Sequence, residues 1–174
     1  MADRRVLEFN GMAFEHMIVR YLSHRYPEAR FFTNLNLFSS FLGKATQIDV
    51  IMVCEMGVFV VEAKGWRRWI RGSYDDEYWT GQSSTMNTIL AFNPVHQNII
   101  HIRSLRNAIR VTFDIDVAPF ENVVCIPDGT IIDSPCREVC NLSLLGTLID
   151  SIILQKKYHI DVDAYYKYIE TVTD

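Results

Sequence analysis

Two nearly continuous apolar segments dominate the hydrophobic pattern of this chain. They read TQIDVIMVCE at 46–55 and GVFVVEAKG at 57–65, with a tight turn at Glu55-Met56-Gly57 between them. A strand whose apolar residues do not alternate regularly with polar ones is typical of a sheet covered on both faces. The pattern therefore predicts a central β-hairpin.

Helical spacing is found on both sides of this hairpin. Apolar residues recur at threes and fours from Leu7 to Tyr21, which predicts a first helix. Asn93 as an N-cap and Pro94 at the first helical position predict the start of a second helix, and its apolar periodicity continues beyond them. Two further helices are predicted to close the chain from about residue 142.

Shorter strand patterns complete the expected order of elements. ARFFTNLNLF at 29–38 predicts a strand before the hairpin, and FENVVCIPDG at 120–129 predicts one after the second helix. Residues 66–82 predict a small inserted hairpin, and EVCNLS at 138–143 is a candidate last strand. This order predicts an α/β fold in which a mixed sheet has helices on both faces. Because no linker or internal repeat interrupts the pattern, we expect one domain over residues 1–174.

Composition and charge exclude few classes of protein. A chain of 174 residues with 49% hydrophobic residues can bury a core, and its net charge of -4 argues against obligate binding of a polyanion over the whole surface. No run of about 18 uncharged apolar residues predicts a membrane span. Four scattered cysteines are typical of reduced thiols. We therefore expect a cytoplasmic protein that does not bind membranes.

Candidate chemistry lies at one end of the central hairpin. If the turn is centred between Glu55 and Met56, opposed residues sum to 111, which places Asp49 across from Glu62. Their side chains would then leave the same face of the sheet about 5 Å apart. Lys64, two residues after Glu62, is predicted on that face as well.

Two opposed carboxylates repel each other unless a cation compensates them, and their hard oxygen ligands favour Mg²⁺ or Mn²⁺. In the competing interpretation, Asp49 and Glu62 reach water at the strand ends and form a salt bridge with Lys64.

The same residues carry a resemblance to a known family. Asp49 followed by EAK at 62–64 resembles the core of the PD-(D/E)XK nuclease superfamily, and GMAFE at 11–15 and NPVHQN at 93–98 narrow the similarity to the nuclease-related domain, or NERD, family. The resemblance covers residues 11 to about 106. It implies a restriction-endonuclease-like core of αβββαβ order with a metal held by Asp49 and Glu62. It also implies that Lys64, Glu15 and Gln97 complete the catalytic site.

The function expected from this resemblance is that of a metal-dependent nuclease acting on DNA, with RNA as the alternative substrate. A catalytically inactive nucleic-acid-binding module of the same fold is the second candidate. A protein-interaction domain that binds no nucleic acid is the third. Because the sequence has no phosphate-binding Walker loop, ATP-driven unwinding would require a partner such as a helicase.

A basic and aromatic segment follows Lys64. Basic side chains interleaved with aromatic rings are suited to phosphate contact and base stacking. In the competing interpretation, the tryptophans belong to the core and the arginines form a solvent-exposed rim. The candidate nucleic-acid-binding residues are Trp66, Arg67, Arg68, Trp69 and Arg71.

Overall fold

The computed structural model describes residues 4–82 and 86–173. Its elements follow the predicted αβββαβ order, with three additional strands inserted before the second helix. They are α1 (Arg4–Arg25), β1 (Arg30–Ser39), β2 (Lys44–Cys54), β3 (Gly57–Ala63), β4 (Trp69–Arg71), β5 (Tyr78–Gln82), β6 (Thr88–Phe92), α2 (Pro94–Phe113), β7 (Phe120–Ile126), β8 (Ile131–Asp133), β9 (Val139–Asn141), α3 (Leu145–Ile153) and α4 (Val162–Val172).

The main sheet is mixed, as predicted. Its strand order is β1-β2-β3-β7-β9, in which β1, β2 and β3 are antiparallel and β3, β7 and β9 are parallel. One face packs against α1 and α3, and the other packs against α2 and α4. Both faces are covered where β2 pairs with β3, and the side chains there are apolar from Val50 to Cys54 and from Val58 to Val61, which confirms that these are the central strands.

A second sheet replaces the predicted small hairpin at 66–82. Strands β6, β5, β4 and β8 form a four-stranded sheet in that order, with its own core around Trp66, Ile70 and Trp79. That core also packs against Val95 of α2 and Val124 of β7. Strand β8 escaped prediction because it has three residues and pairs with β4, about 60 positions earlier in the chain. Such a distant pairing leaves no local pattern.

The start of α2 is anchored as the sequence predicted. The side chain of Asn93 accepts hydrogen bonds from the backbone N–H groups of Val95 and His96, and Pro94 occupies the first turn. The Asn93 amide also donates to the backbone carbonyl of Asp76, 2.8 Å away, in the loop between β4 and β5. Asn93 is fully buried, so this contact fixes the first turn of α2 against the second sheet.

Within the described residues, every helix is too short or too polar to cross a membrane. That residues 1–174 form one domain stays a prediction.

Candidate functional site

Asp49 lies where the β2–β3 pairing ends. The predicted register is confirmed, because the recorded pairs run from Cys54 opposite Gly57 to Val50 opposite Val61 and each sums to 111. The ladder stops one position before Asp49 and Glu62 would face each other. Instead, the Asp49 carboxylate accepts a hydrogen bond of 2.8 Å from the backbone N–H of Ala63. The side chain of Asp49 therefore takes the place of a backbone partner for β3.

The regular alternation of β2 also breaks at Asp49, which corrects the expectation that its side chain leaves the sheet directly opposite Glu62. Ile48 and Ile51 both pack into the core on the α2 side, although three positions separate them. Two residues three positions apart on a regular strand would lie on opposite faces. The break has a counterpart in β1, where Asn34 has the left-handed backbone conformation, with φ 55°.

Glu62 is the most deeply buried charged residue of the site, with 1% of its surface exposed. Its Oε1 lies 2.7 Å from the Lys64 ammonium, and its Oε2 lies 3.4 Å from Nδ1 of His101 on α2. The contact with Lys64 confirms that residues 62 and 64 lie on one face of the sheet. Oε2 makes no hydrogen bond within the described part of the chain, and its contact with His101 is longer than an ordinary N–H···O hydrogen bond.

Gln97 is brought to the same point by α2. The Lys64 ammonium donates a hydrogen bond of 2.9 Å to Oε1 of Gln97. Lys64 is thereby held between a strand carboxylate and a helix amide, with 17% of its side chain exposed. The side chain is therefore largely buried but still in contact with solvent.

Glu15 approaches from α1. It is buried and hydrogen-bonded to the side chain of Asn34, while its Oε2 has no hydrogen-bond partner among the described residues. Glu15 and Glu62 are close enough to repel each other electrostatically. The structure therefore brings together all five predicted catalytic residues, which come from two helices and two strands.

The carboxylates of the site have opposite pKa shifts. Burial, and then the negative charge of Glu62, raise the pKa of Asp49 to about 8. Burial also raises the pKa of Glu15. Burial alone would raise the pKa of Glu62 too, but the charges of Lys64 and His101 outweigh it and hold that pKa below its ordinary value. The lowered pKa keeps Glu62 ionised at neutral pH without a bound cation, whereas burial shifts Asp49 and Glu15 towards the protonated form.

The donor set has the chemistry of a divalent-cation site, although its carboxylates are not closely grouped. In the part of the chain that the structure describes, no group of three or more His, Cys, Asp or Glu side chains is arranged tightly enough to hold a metal ion. Two buried carboxylate oxygens, on Glu15 and Glu62, nevertheless lack a hydrogen-bond partner there. Buried oxygens without partners, together with a raised Asp49 pKa, fit a site that a cation would complete.

The residues predicted to bind nucleic acid differ in their exposure, because the second sheet buries one of them and leaves the others at or near the surface. Trp66 is buried in the core of that sheet, so for this residue the core interpretation applies and its indole offers no face for base stacking. Trp69 is half-buried, whereas Arg67 and Arg68 are exposed. Arg71 is also exposed, and its guanidinium lies 2.6 Å from a carboxylate oxygen of Asp133. Only the arginines and Trp69 remain accessible to a partner.

Two residues of the site were missed from the sequence. His101 follows Gln97 by four positions, a helical spacing that places both side chains on one face of α2. That spacing could have identified His101, which is buried beside Glu62. Asn34 could have been suspected as well, because Asn within an apolar strand is one of the few residue types that tolerate a left-handed conformation.

Comparisons with known proteins agree with this site. A family model described as "Nuclease-related domain" matches residues 10–127. An uncharacterized protein of Bacillus anthracis is 36% identical over 106 residues, which make up 60% of this chain and 49% of that protein. The match thus spans about half the length of that curated relative. No solved structure matches significantly. Because the family model covers more than half of its length, the chain belongs to the nuclease-related domain family.

Proposed function

We propose that this protein is a divalent-metal-dependent nuclease that hydrolyses phosphodiester bonds in DNA. Membership of the nuclease-related domain family supports a nuclease-related function. The observation that carries the proposal is the meeting of Glu62 and Lys64 with Asp49 at the end of the β2–β3 ladder, where α1 and α2 add Glu15 and Gln97. An ion pair that served only to stabilise the fold would not need two further carboxylates beside it.

Each residue has a chemical task in this proposal. Asp49, Glu62 and Glu15 are the carboxylates that would hold Mg²⁺ or Mn²⁺. When bound, such an ion supplies charge neutralisation at the scissile phosphate and an acidified water. Lys64 stabilises negative charge that develops on the phosphate, because its ammonium is held in place by two partners and its side chain is partly exposed. Gln97 orients Lys64 by accepting its hydrogen bond.

A binding module without catalysis is the second candidate. It is favoured by two observations: the described carboxylates form no tight metal-binding group, and Lys64 already neutralises Glu62. Under this alternative, the protein binds nucleic acid equally well with and without divalent cations. The two candidates therefore differ in cleavage and in metal dependence, and both are accessible to experiment.

The test is a gel assay of linear, circular and single-stranded DNA, with RNA in parallel, in Mg²⁺, Mn²⁺ or chelator. Wild-type protein should cut only with a divalent cation, and Asp49→Asn and Lys64→Ala should each abolish cutting. Glu170→Gln is the matched control, since Glu170 is an exposed carboxylate on α4, and it should cut like wild type. Binding without cutting under every condition would favour the second candidate. An Asp49→Asn variant that still cuts would exclude the proposed site.

A further inference from the structure

The β1–β2 hairpin continues well past the carboxylate site. Beyond the break at Asn34 and Asp49, five more residue pairs form, from Leu35 opposite Ile48 to Ser39 opposite Lys44. Strand β3 does not accompany them, since its pairing with β2 ends at Val50. Five strand positions extend about 17 Å. Residues 35–48 therefore form a projecting hairpin, called the arm below, whose base is the candidate site.

One side of the arm is packed and the other is open. Leu37 and Ser39 are buried on the side of α2, where the hydroxyl groups of Ser39 and Ser104 form a hydrogen bond of 2.7 Å. The alternate positions of the two strands face the opposite side and are exposed. That open side carries Asn36, Phe38, Ala45 and Gln47. Because α2 supports the packed side, the open side is a fixed surface that starts next to Asp49.

The aromatic residues of the arm are unusually exposed. Phe38 is 66% exposed and Phe41, in the turn, is 63% exposed, with Leu42 beside them. Single exposed apolar side chains are common, but three within five residues at one tip form a patch that favours a partner. The patch and Asp49 belong to the same β1–β2 hairpin, the patch at its tip and Asp49 at the base of the arm, so a ligand lying along the arm would reach the carboxylate site.

Charge identifies the class of that ligand. The arm, residues 35–48, has no Asp or Glu, although these make up 21 of the 174 residues of the chain, and it has one basic residue, Lys44. An acid-free surface does not repel phosphates, and Lys44 at the tip can contact one. Exposed rings on such a surface suit the stacking of nucleobases, which is largely independent of sequence. A duplex hides the faces of its bases, so stacking requires unpaired nucleotides.

We propose that the arm binds single-stranded nucleic acid, with unpaired bases stacked on Phe38 and Phe41 while the backbone leads towards Asp49 and Glu62. This inference rests on the proposed nuclease function and narrows its substrate to unpaired strands or frayed ends. Asn36, exposed two positions from Phe38, offers an amide group to base edges or sugars, whereas the Gln47 amide donates to the side chain of Asn34. The arm thus acts as a guide that selects unpaired strands for the site at its base.

The test measures binding of fluorescein-labelled oligothymidylate and of a blunt DNA duplex of equal length, both in chelator so that nothing is cut. Phe38→Ala and Phe41→Ala should each weaken binding of the single strand by about fivefold or more, and the double variant should weaken it further. Duplex binding should change by less than about twofold. Phe38→Trp should bind the single strand like wild type, because it restores a ring. Leu154→Ala is the control, since Leu154 is 85% exposed on a different element and should have no effect.

A fluorescence measurement of base stacking distinguishes aromatic stacking from non-specific apolar binding. An oligonucleotide that contains 2-aminopurine should lose fluorescence on binding wild type, and Phe38→Leu, which keeps an apolar side chain, should lose that quenching. If wild type binds single strands and the Phe variants bind them equally well, the arm is not the binding surface. This inference is then overturned, while the nuclease proposal stands. If wild type binds neither probe, the arm proposal fails, and the cleavage assay with Mg²⁺ or Mn²⁺ alone decides the nuclease proposal. If instead the Phe variants abolish a dimer seen by sedimentation and leave binding intact, the patch contacts a second copy and the inference is overturned.

Discussion

Asp49 is the residue whose environment most changes its ordinary chemistry. Burial and the nearby charge of Glu62 raise its pKa from 3.8 to about 8. In the cation-free protein, Asp49 is therefore largely protonated at pH 7, while Glu62 is ionised. A carboxyl group with a raised pKa stabilises the fold fully below the unfolded value, and this contribution is lost as pH rises through the folded value.

The first prediction concerns Asp49→Asn. Without divalent cations, the free energy of unfolding of wild type should fall on the order of 3 kcal/mol between pH 5 and pH 9 because of this group. Asp49→Asn should lack that component, since an amide does not ionise and its oxygen can still accept from Ala63. Thermal or denaturant unfolding across this pH range measures the difference, with Glu170→Gln as a control. Equal destabilisation by Asp49→Asn at every pH would instead support a simple salt bridge.

The second prediction concerns Lys64→Ala. Removing this ammonium leaves the Glu62 carboxylate buried without its lysine partner, and should cost about 3 kcal/mol of stability at pH 7. Added Mg²⁺ should restore part of the loss, because a ligand that binds only the native state stabilises it. Unfolding curves with Mg²⁺ or chelator measure both effects.

The double variant Glu62→Gln/Lys64→Ala is the internal control for this pair. It leaves no uncompensated buried charge, so it should be more stable than Lys64→Ala alone and should not respond to Mg²⁺. A double variant that is less stable than Lys64→Ala would contradict the assigned role of the pair, because the two losses would then be independent.

At the scale of elements, the break in β1 connects α1 to the sheet edge. Asn34 adopts a left-handed conformation within a strand and hydrogen-bonds to Glu15 of α1. Strained backbone of this kind persists where surrounding contacts compensate for it, and it is concentrated at functional sites. The same break separates the arm from the part of the hairpin that is paired with β3.

The third prediction uses Asn34 to separate the effect of backbone strain from the effect of losing the side-chain contact with Glu15. Asn34→Gly should stay near wild-type stability because glycine adopts a positive φ freely, whereas Asn34→Ala should lose about 1–2 kcal/mol to strain. Both variants lose the contact with Glu15, so both should lower cleavage to a similar extent despite their different stabilities. Melting and cleavage assays on the two variants measure this.

Glu15→Gln completes the comparison. Combined with Asn34→Gly, it should lower cleavage no further than Glu15→Gln does alone, because Asn34 acts only by positioning the Glu15 carboxylate. Additive losses would mean that Asn34 does not act through Glu15. Parallel losses of stability and activity in the two Asn34 variants would mean that it only supports the fold.

At the scale of the whole molecule, a net charge of -4 must be reconciled with binding a polyanion. The exposed side chains of Arg67 and Arg68, between the main sheet and β4, provide local positive charge next to Lys64. Lysine and arginine contacts to phosphates release counterions, which makes binding dependent on salt concentration. Local charge, rather than the total, therefore governs the interaction.

The fourth prediction is that Arg67→Ala with Arg68→Gly reduces the slope of log Kd against log salt by about 1 for each arginine that contacts a phosphate. Glycine is chosen at 68 because Arg68 has φ 72°, which glycine tolerates. The control is Arg110→Ala with Lys167→Ala, which removes the same charge from exposed positions on α2 and α4. An equal change of slope in both double variants would indicate that net charge alone sets the salt dependence.

Local patterns were sufficient for much of this architecture. The two apolar runs and the two-residue turn between them predicted the β2–β3 register, because a tight turn sets which residues face each other. Asn93 and Pro94 predicted the start of α2, because capping is an interaction between residues close in sequence. Turn residues and N-cap residues interact with partners only a few positions away, so both partners can be recognised in a short stretch of sequence.

Long-range packing decided the remainder of the site. Only the folded chain places Asp49 on the Ala63 N–H, Glu15 beside Asn34, and His101 against Glu62. It alone also buries Trp66 under a second sheet whose strand β8 comes from far along the chain. These contacts join residues separated by 14 to 62 positions, so no local periodicity encodes them. The charge state of each carboxylate follows from that packing, because burial and neighbouring charges determine a pKa.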